Sequence, residues 1–311
     1  MSLGRSELQP KLSQARPKPS RMLAEERLAA WGFLAPALIL FLVFAALPVL
    51  ASFGISFTRW DLFTTPSFVG FENYLKILVD PIFHTVLQNT TLFVLGTVLV
   101  QMSIALGLAL LLNNRVPGQA FFRVVYFLPV VSPSVAVALV WAWILNENFG
   151  LLNAFLSSLG VHNPPHWLSS TQWALPALMI VSIWQGTGYS MVLFLAGLQN
   201  IPQDVYEAGA LDGAVGWKKF RYLTLPLLSP TTFFVLTIQV IFSFQVFDLA
   251  FVMTDGGPSN STNTVVFYIY QNAFRFYRMG YAAAAAWLLF IVIFIVTILQ
   301  YRLQKRWVHY D

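Results

Sequence analysis

The sequence predicts an all-α protein, a polytopic transmembrane helical bundle of six spans with both termini cytoplasmic. Hydrophobic residues make up 57% of the 311-residue chain and charged residues only 10%, against about 25% charged in an ordinary soluble domain. Apolar runs occur near 31–57, 86–112, 121–145, 173–198, 228–252 and 281–301. Each is long enough for the roughly 20 helical residues that cross a hydrocarbon core, and far longer than a barrel strand. Lys and Arg then set the orientation. With a cytoplasmic amino terminus, the inner segments hold Arg5, Lys11, Arg16, Lys18, Arg21 and Arg27, then Arg115 and Arg123, then Lys218, Lys219 and Arg221, then Arg302, Lys305 and Arg306, which is 14 of the 18.

Taken in order, residues 1–28 are expected to form a flexible basic cytoplasmic arm, because Pro10, Pro17 and Pro19 interrupt any helix. The arm is not read as a cleavable signal, since the apolar run after it exceeds the core of a signal peptide. Residues 29–311 form the membrane domain. Its outer loops carry rings such as Trp60, Phe71, Tyr74, Trp167, Tyr268 and Tyr270, expected as an interfacial aromatic belt rather than a ligand cage. Gly256-Gly257-Pro258 turns the chain after the fifth run, and 262–281 is expected as an interfacial helix before the last.

Several chemistries are excluded. The basic residues flank apolar runs without forming a patch, which argues against nucleic acid. Cysteine is absent, so there is no thiolate chemistry. His84, His162, His166 and His309 lack metal-ligand spacing, and neither a Gly-x-Ser-x-Gly elbow nor a Gly-x-x-x-x-Gly-Lys-Ser/Thr phosphate loop occurs. By these signals the chain is no enzyme, holds no cofactor and does not itself bind ATP.

Between the fourth and fifth runs, the polar stretch 199–226 carries helix signals that agree with one another. Pro202 suits the first helical position, Asp204 and Glu207 sit near its positive end, and Gly213 suits a left-handed stop, giving about ten residues. Ala208, Gly209, Ala210, Gly213 and Ala214 are small enough for another protein surface to approach closely, with Glu207 free to pair with a cation there. The plainer alternative is a loop helix lying on the membrane, with Glu207 solvated or satisfied by Lys218 or Lys219.

Within the runs, ionisable residues are nearly absent, and Asp248 is the exception. A carboxylate costs about 2.5–3.5 kcal/mol at a bilayer centre on insertion scales, so it faces a cavity, snorkels, or caps the turn that follows. Gln245 is expected on the same helix face, with Gln239 and Ser243 on another side, bonding between helices. In the fourth run Trp184, Gln185, Gly186, Gly188 and Tyr189 combine rings, an amide and glycines. They suit either a sugar, stacked and hydrogen-bonded, or close helix packing with Trp184 facing lipid. Asn89, Thr90 and Thr91 receive no role.

The loop resembles the "EAA" loop of permease subunits in binding-protein-dependent ABC importers. Glu207, Ala208, Gly213, Leu223, Leu225 and Pro226 fall in that register, with Gly209 replacing the usual second Ala and Leu223 the usual Ile. Val69–Tyr74, Phe122-Arg123 leading to Leu128-Pro129, Ala196–Pro202, and Gly256–Pro258 ahead of Gly280–Ala282 are similar to sugar permeases of the maltose and glycerol-phosphate type. The resemblance implies a bacterial inner-membrane subunit that forms a translocation path with a second, homologous permease. It implies two cytoplasmic ATP-binding subunits, coupled through Glu207, Ala208, Gly209, Asp212 and Gly213. An extracytoplasmic solute-binding protein and a sugar-like cargo complete the set. The alternatives are a secondary transporter or channel without ATPase partners, or a membrane scaffold.

Overall fold

The computed structural model describes residues 21–114 and 117–308. The chain divides into two compact units, Met1–Ser52 and Phe53–Asp311. Most of the expected arm, residues 1–20, lies outside the described residues, but helix α1 (Arg21–Phe41) already begins inside the stretch expected to be flexible. From Arg21 to Ala30 there is neither Gly nor Pro, and Leu, Ala, Glu, Met and Arg are all strong helix formers.

In the first unit, α1 passes through a π-helical turn, Leu42–Ala46, into α2 (Leu47–Ser56), whose last four residues belong to the second unit. A proline ring presses on the carbonyl four residues earlier. Pro48 therefore crowds Phe44, inside the turn where the helix widens, so that Leu47 N–H bonds to Leu42 O. Trp31, Phe33, Phe44 and Leu50 are exposed, as side chains facing lipid are.

The second unit opens with two short antiparallel strands, β1 (Thr58–Arg59) and β2 (Ser67–Phe68). Helices α3 (Glu72–Val79), α4 (Pro81–Leu112), α5 (Gln119–Val131), α6 (Ser134–Ile144), α7 (Leu151–Ser158) and α8 (Ala174–Gln199) follow. Then come α9 (Gln203–Leu211), α10 (Trp217–Lys219), a π-helical segment Phe220–Thr224, α11 (Leu225–Leu227) and α12 (Ser229–Phe244). A second π-helical segment Ala250–Thr254, α13 (Val265–Tyr270), a third at Gln271–Arg275, and α14 (Met279–Gln304) complete it.

Among the described residues, four helical stretches are long and apolar enough to span a membrane: Glu26–Ser56, Pro81–Leu112, Ala174–Gln199 and Met279–Gln304. The other two expected spans are bent, α5 against α6 by 97° and Trp217–Leu227 against α12 by 65°. Proline accounts for both bends. Ser132 precedes Pro133 and is extended, at φ −75° and ψ 136°, because the proline ring disfavours a helical residue before it. Pro226 and Pro230 flank the second elbow.

The fifth span is broken again after α12, where residues 245–247 leave the helix before it resumes at Asp248. No proline causes this break. Thr264 Oγ1 donates to the freed Val246 carbonyl at 2.9 Å, a tertiary bond that replaces the lost helical one.

The segment 262–281 is not the interfacial helix expected. Thr262, Asn263 and Thr264 are buried outside any helix, and the helical stretch covers only 265–275, through α13 and the π-helical segment that continues it, with Val265 and Phe267 in the core. Asn89 Nδ2 donates to the carbonyls of Asn260 and Asn263 at 2.6 and 3.2 Å, and the Val265 amide donates to Thr90 Oγ1 at 3.0 Å. Those two α4 residues thus hold the segment inside the bundle. Tyr268 is buried rather than part of a belt, and its hydroxyl donates to Asp80 Oδ2 at 2.6 Å.

Close packing centres on α8. A Cβ at Gly188 would lie 2.0 Å from the Tyr126 carbonyl oxygen, so α5 and α8 meet backbone to backbone, the small-residue packing common where lipid supplies no hydrophobic drive.

Candidate functional site

A cavity of about 580 Å³ opens where the broken helices meet. The carboxyl end of α5 reaches it at Val130 and the amino end of α6 at Ser134. The carboxyl end of α12 supplies Phe242, Ser243 and Gln245, and the resumed helix supplies Asp248. Straight helices close the rest, α4 through Phe93 and Gln101, α8 through Ser182, Gln185, Gly186 and Tyr189. Discontinuous helices around a polar cavity are a recurrent way to present backbone and side-chain groups to a solute within a membrane.

The polar groups are held in place. Ser134 Oγ donates to Asp248 Oδ2, tying the two breaks together. Gln185 Nε2 reaches the carbonyl of Ser132, the extended residue of the α5–α6 bend, at 3.4 Å. Gln101 and Gln239 both donate to the buried Ser190 Oγ, at 3.2 and 2.8 Å. Thr97 Oγ1 meets Ser243 Oγ at 3.4 Å.

Of the five expected pathway residues, Asp248, Gln245, Gln185 and Tyr189 come together in this lining, while Trp184 does not. Trp184 is 45% exposed and packs edge-on against Trp141 at 5.5 Å. Gln245 does not share a helix face with Asp248, because the helix breaks between them; the two flank the break instead. Gln239 and Ser243 bond between helices as expected and also line the cavity. Sequence reasoning missed Gln101, Ser134 and Ser182. An amide in the middle of an apolar run was the available signal for Gln101.

The second feature is α9. Pro202 takes the N-cap position, at φ −59° and ψ 139°, rather than the first helical position, so the helix has nine residues. It ends in a Schellman motif: Gly213 is left-handed at φ 79°, its amide bonds to Ala210 O at 3.1 Å, and Ala214 N bonds to Gly209 O at 2.8 Å. Glu207 Oε1 accepts from Gln203 Nε2 at 2.8 Å and forms no ion pair with Lys218 or Lys219 among the described residues. Lys219 lies over the Tyr206 ring, 4.1 Å from its centre.

Glu207, Ala208, Asp212 and Gly213 are exposed. Gly209 is not available to another surface, because it is buried against Leu223, whose Cδ1 would lie 2.3 Å from an added Cβ. The two departures from the usual loop pattern therefore fit one another, the larger reach at 223 filling the space left empty at 209. Tyr206 Oη meets Thr224 Oγ1 at 3.3 Å, a second tie between α9 and the π-helical segment leading to α12. Leu211, Val215 and Trp217 are 91, 65 and 73% exposed beside this helix, an apolar face with no cover from the described residues.

A third feature is a smaller cavity lined by Asn146, Glu147, Ser169, Thr254 and Asp255 among others. Hydrogen bonds from Ser169 and His166 hold the Glu147 carboxyl below its ordinary range, and Asp255 forms a two-point ion pair with Arg275 at 2.6 and 3.0 Å. No cluster of metal-ligating side chains occurs among the described residues.

Residues 101–309 match the family model described as binding-protein-dependent transport system inner membrane component. The sulfoquinovosyl glycerol transport system permease protein SmoG of Agrobacterium fabrum is 36% identical over 282 residues, covering 90% of this chain and 91% of that protein. The lactose transport system permease protein LacF of Rhizobium radiobacter is 35% identical over 277 residues, covering 87% and 92%. Among solved structures, a bacterial alginate ABC transporter in complex with alginate pentasaccharide-bound periplasmic protein superposes with TM-score 0.81 at 21% identity, covering 93% of this chain and 98% of that one.

Proposed function

Because this chain belongs to the inner-membrane components of binding-protein-dependent transport systems, as a multi-pass ABC-importer permease, we propose that it carries a sugar or sugar derivative through the cavity between its broken helices. We take the exposed edge of α9, at Glu207, Ala208, Asp212 and Gly213, to be the seat of a cytoplasmic ATP-binding subunit. Two such subunits, a second permease of the same kind and a solute-binding protein complete the proposed complex.

The observation that carries this reading is a continuous mechanical path. From the exposed edge of α9, the Gly209–Leu223 and Tyr206–Thr224 contacts lead to the π-helical segment, then through the 65° elbow into α12 and to the break at Gln245 and Asp248. Docking alone does no work. The ATPase must favour one arrangement of this path over the other in its ATP-bound state, since only differential affinity shifts an equilibrium.

Glu207→Lys tests it. Uptake by the assembled transporter is expected to be abolished while membrane insertion is retained, and normal uptake would remove α9 from the mechanism. A secondary transporter would instead lose uptake with a protonophore when ATP is held constant.

A further inference from the structure

Resting on the assignment of the broken-helix cavity as the solute path, we infer that this path selects against anionic solutes and takes neutral or amine-bearing sugars, with Asp248 as the determining residue. The balance of charge in the lining carries the inference. Among the described residues its polar side chains are neutral amides and hydroxyls, Asp248 is the one formally charged residue, and no Lys, Arg or His lines it.

Helix ends do not reverse this. A helix end carries roughly half an elementary charge. Residues at two amino ends, of α6 and of the helix resuming at Asp248, and at two carboxyl ends, of α5 and α12, line the same cavity, so partial charges of both signs are present in equal number and the Asp248 carboxylate is left over. Ser134 fixes that group but donates a neutral hydrogen bond and supplies no countercharge. The smaller cavity adds no cation to its lining among the described residues: Glu147 and Asp255 line it, with Asp255 matched by Arg275 beside it. In this chain's part of the path a uronate, sulfonate or phosphate would meet the Asp248 carboxylate with no cation in the cavity lining among the described residues, in surroundings where charges are weakly screened. Hydroxyls suit the glutamines and serines, and an ammonium suits Asp248.

Because the chain contains no cysteine, single thiols report the field without knowledge of the cargo. Ser182→Cys and Gln245→Cys, each in the complete transporter in nanodiscs, are treated with the cationic trimethylammonium-ethyl or the anionic sulfonatoethyl methanethiosulfonate. Modification of this chain is followed by mass spectrometry and normalised to the reagents' rates on a free thiol. A preference of about tenfold for the cation is expected at both positions. It should vanish with Asp248→Asn and survive both Asp248→Glu and Ser134→Ala, which keep the carboxylate. Equal normalised rates with Asp248 present, or a preference unchanged in Asp248→Asn, would overturn the inference and leave the path assignment standing. Failure of both reagents at both positions would overturn the path assignment, and this inference with it.

Discussion

Asp80 joins three elements through one side chain. It caps α4 by accepting from the Ile82 amide at 2.8 Å, and its other oxygen accepts from Tyr268 at 2.6 Å and Tyr281 at 3.0 Å. Burial pushes its carboxyl up, but the bonds from Tyr268, the Ile82 amide and Tyr281 outweigh burial and hold it below its ordinary value of 3.8. A carboxyl lowered in the folded state contributes stability that is present above its unfolded value and lost as pH falls through the folded one. Asp80→Asn keeps a good N-cap but removes the charge that the Tyr268 and Tyr281 hydroxyls donate to, and is expected to lower stability by about 1 kcal/mol. In thermal unfolding of the solubilised protein, the gap from wild type should stay constant from neutral to mildly acidic pH. It should close only below the ordinary carboxylate range; a gap independent of pH throughout would contradict the role given to the ionised group.

At the scale of elements, the α5–α8 contact depends on the missing side chain at Gly188. A methyl group there meets the Tyr126 carbonyl, a backbone atom that cannot rotate away. Gly188→Ala should therefore destabilise the bundle by about 1–3 kcal/mol. Gly107, with nothing within 4 Å of its added Cβ, should be neutral or gain up to about 1 kcal/mol on becoming Ala. Comparing the two melting temperatures checks the claim, and equal behaviour would contradict it.

The elements also show what the sequence could reveal. Long apolar runs announced the spans because hydropathy averages over many residues. The same averaging hid the breaks. The one at Ser132 had a local cause in Pro133, whereas the one at 245–247 is stabilised by Thr264, a partner 18 residues later than Val246. Asp248 was legible as a lone charge in an apolar run, and the end of α9 as a glycine stop. Gln101 carried a signal as an amide within an apolar run, whereas Ser134 became a cavity residue only through packing. Gly209, read as an opening for a partner, proved to be filled by Leu223 because residues 14 apart meet only after the chain turns back.

For the whole molecule, two surfaces stand without cover from the described residues. One is the exposed apolar perimeter expected of a protein in lipid, and the other is the α9 edge with Leu211, Val215 and Trp217 beside it. The central claim is that an ATP-binding subunit seats on that edge and moves α12 through it. Cysteines placed singly at Ala208, Leu211 and Asp212, in a chain that has none of its own, test this in the assembled transporter with a short bifunctional crosslinker. The account predicts a crosslink to the ATP-binding subunit from these positions, with a yield that changes on adding ATP. An intact complex that gives no such crosslink from any of the three would contradict it.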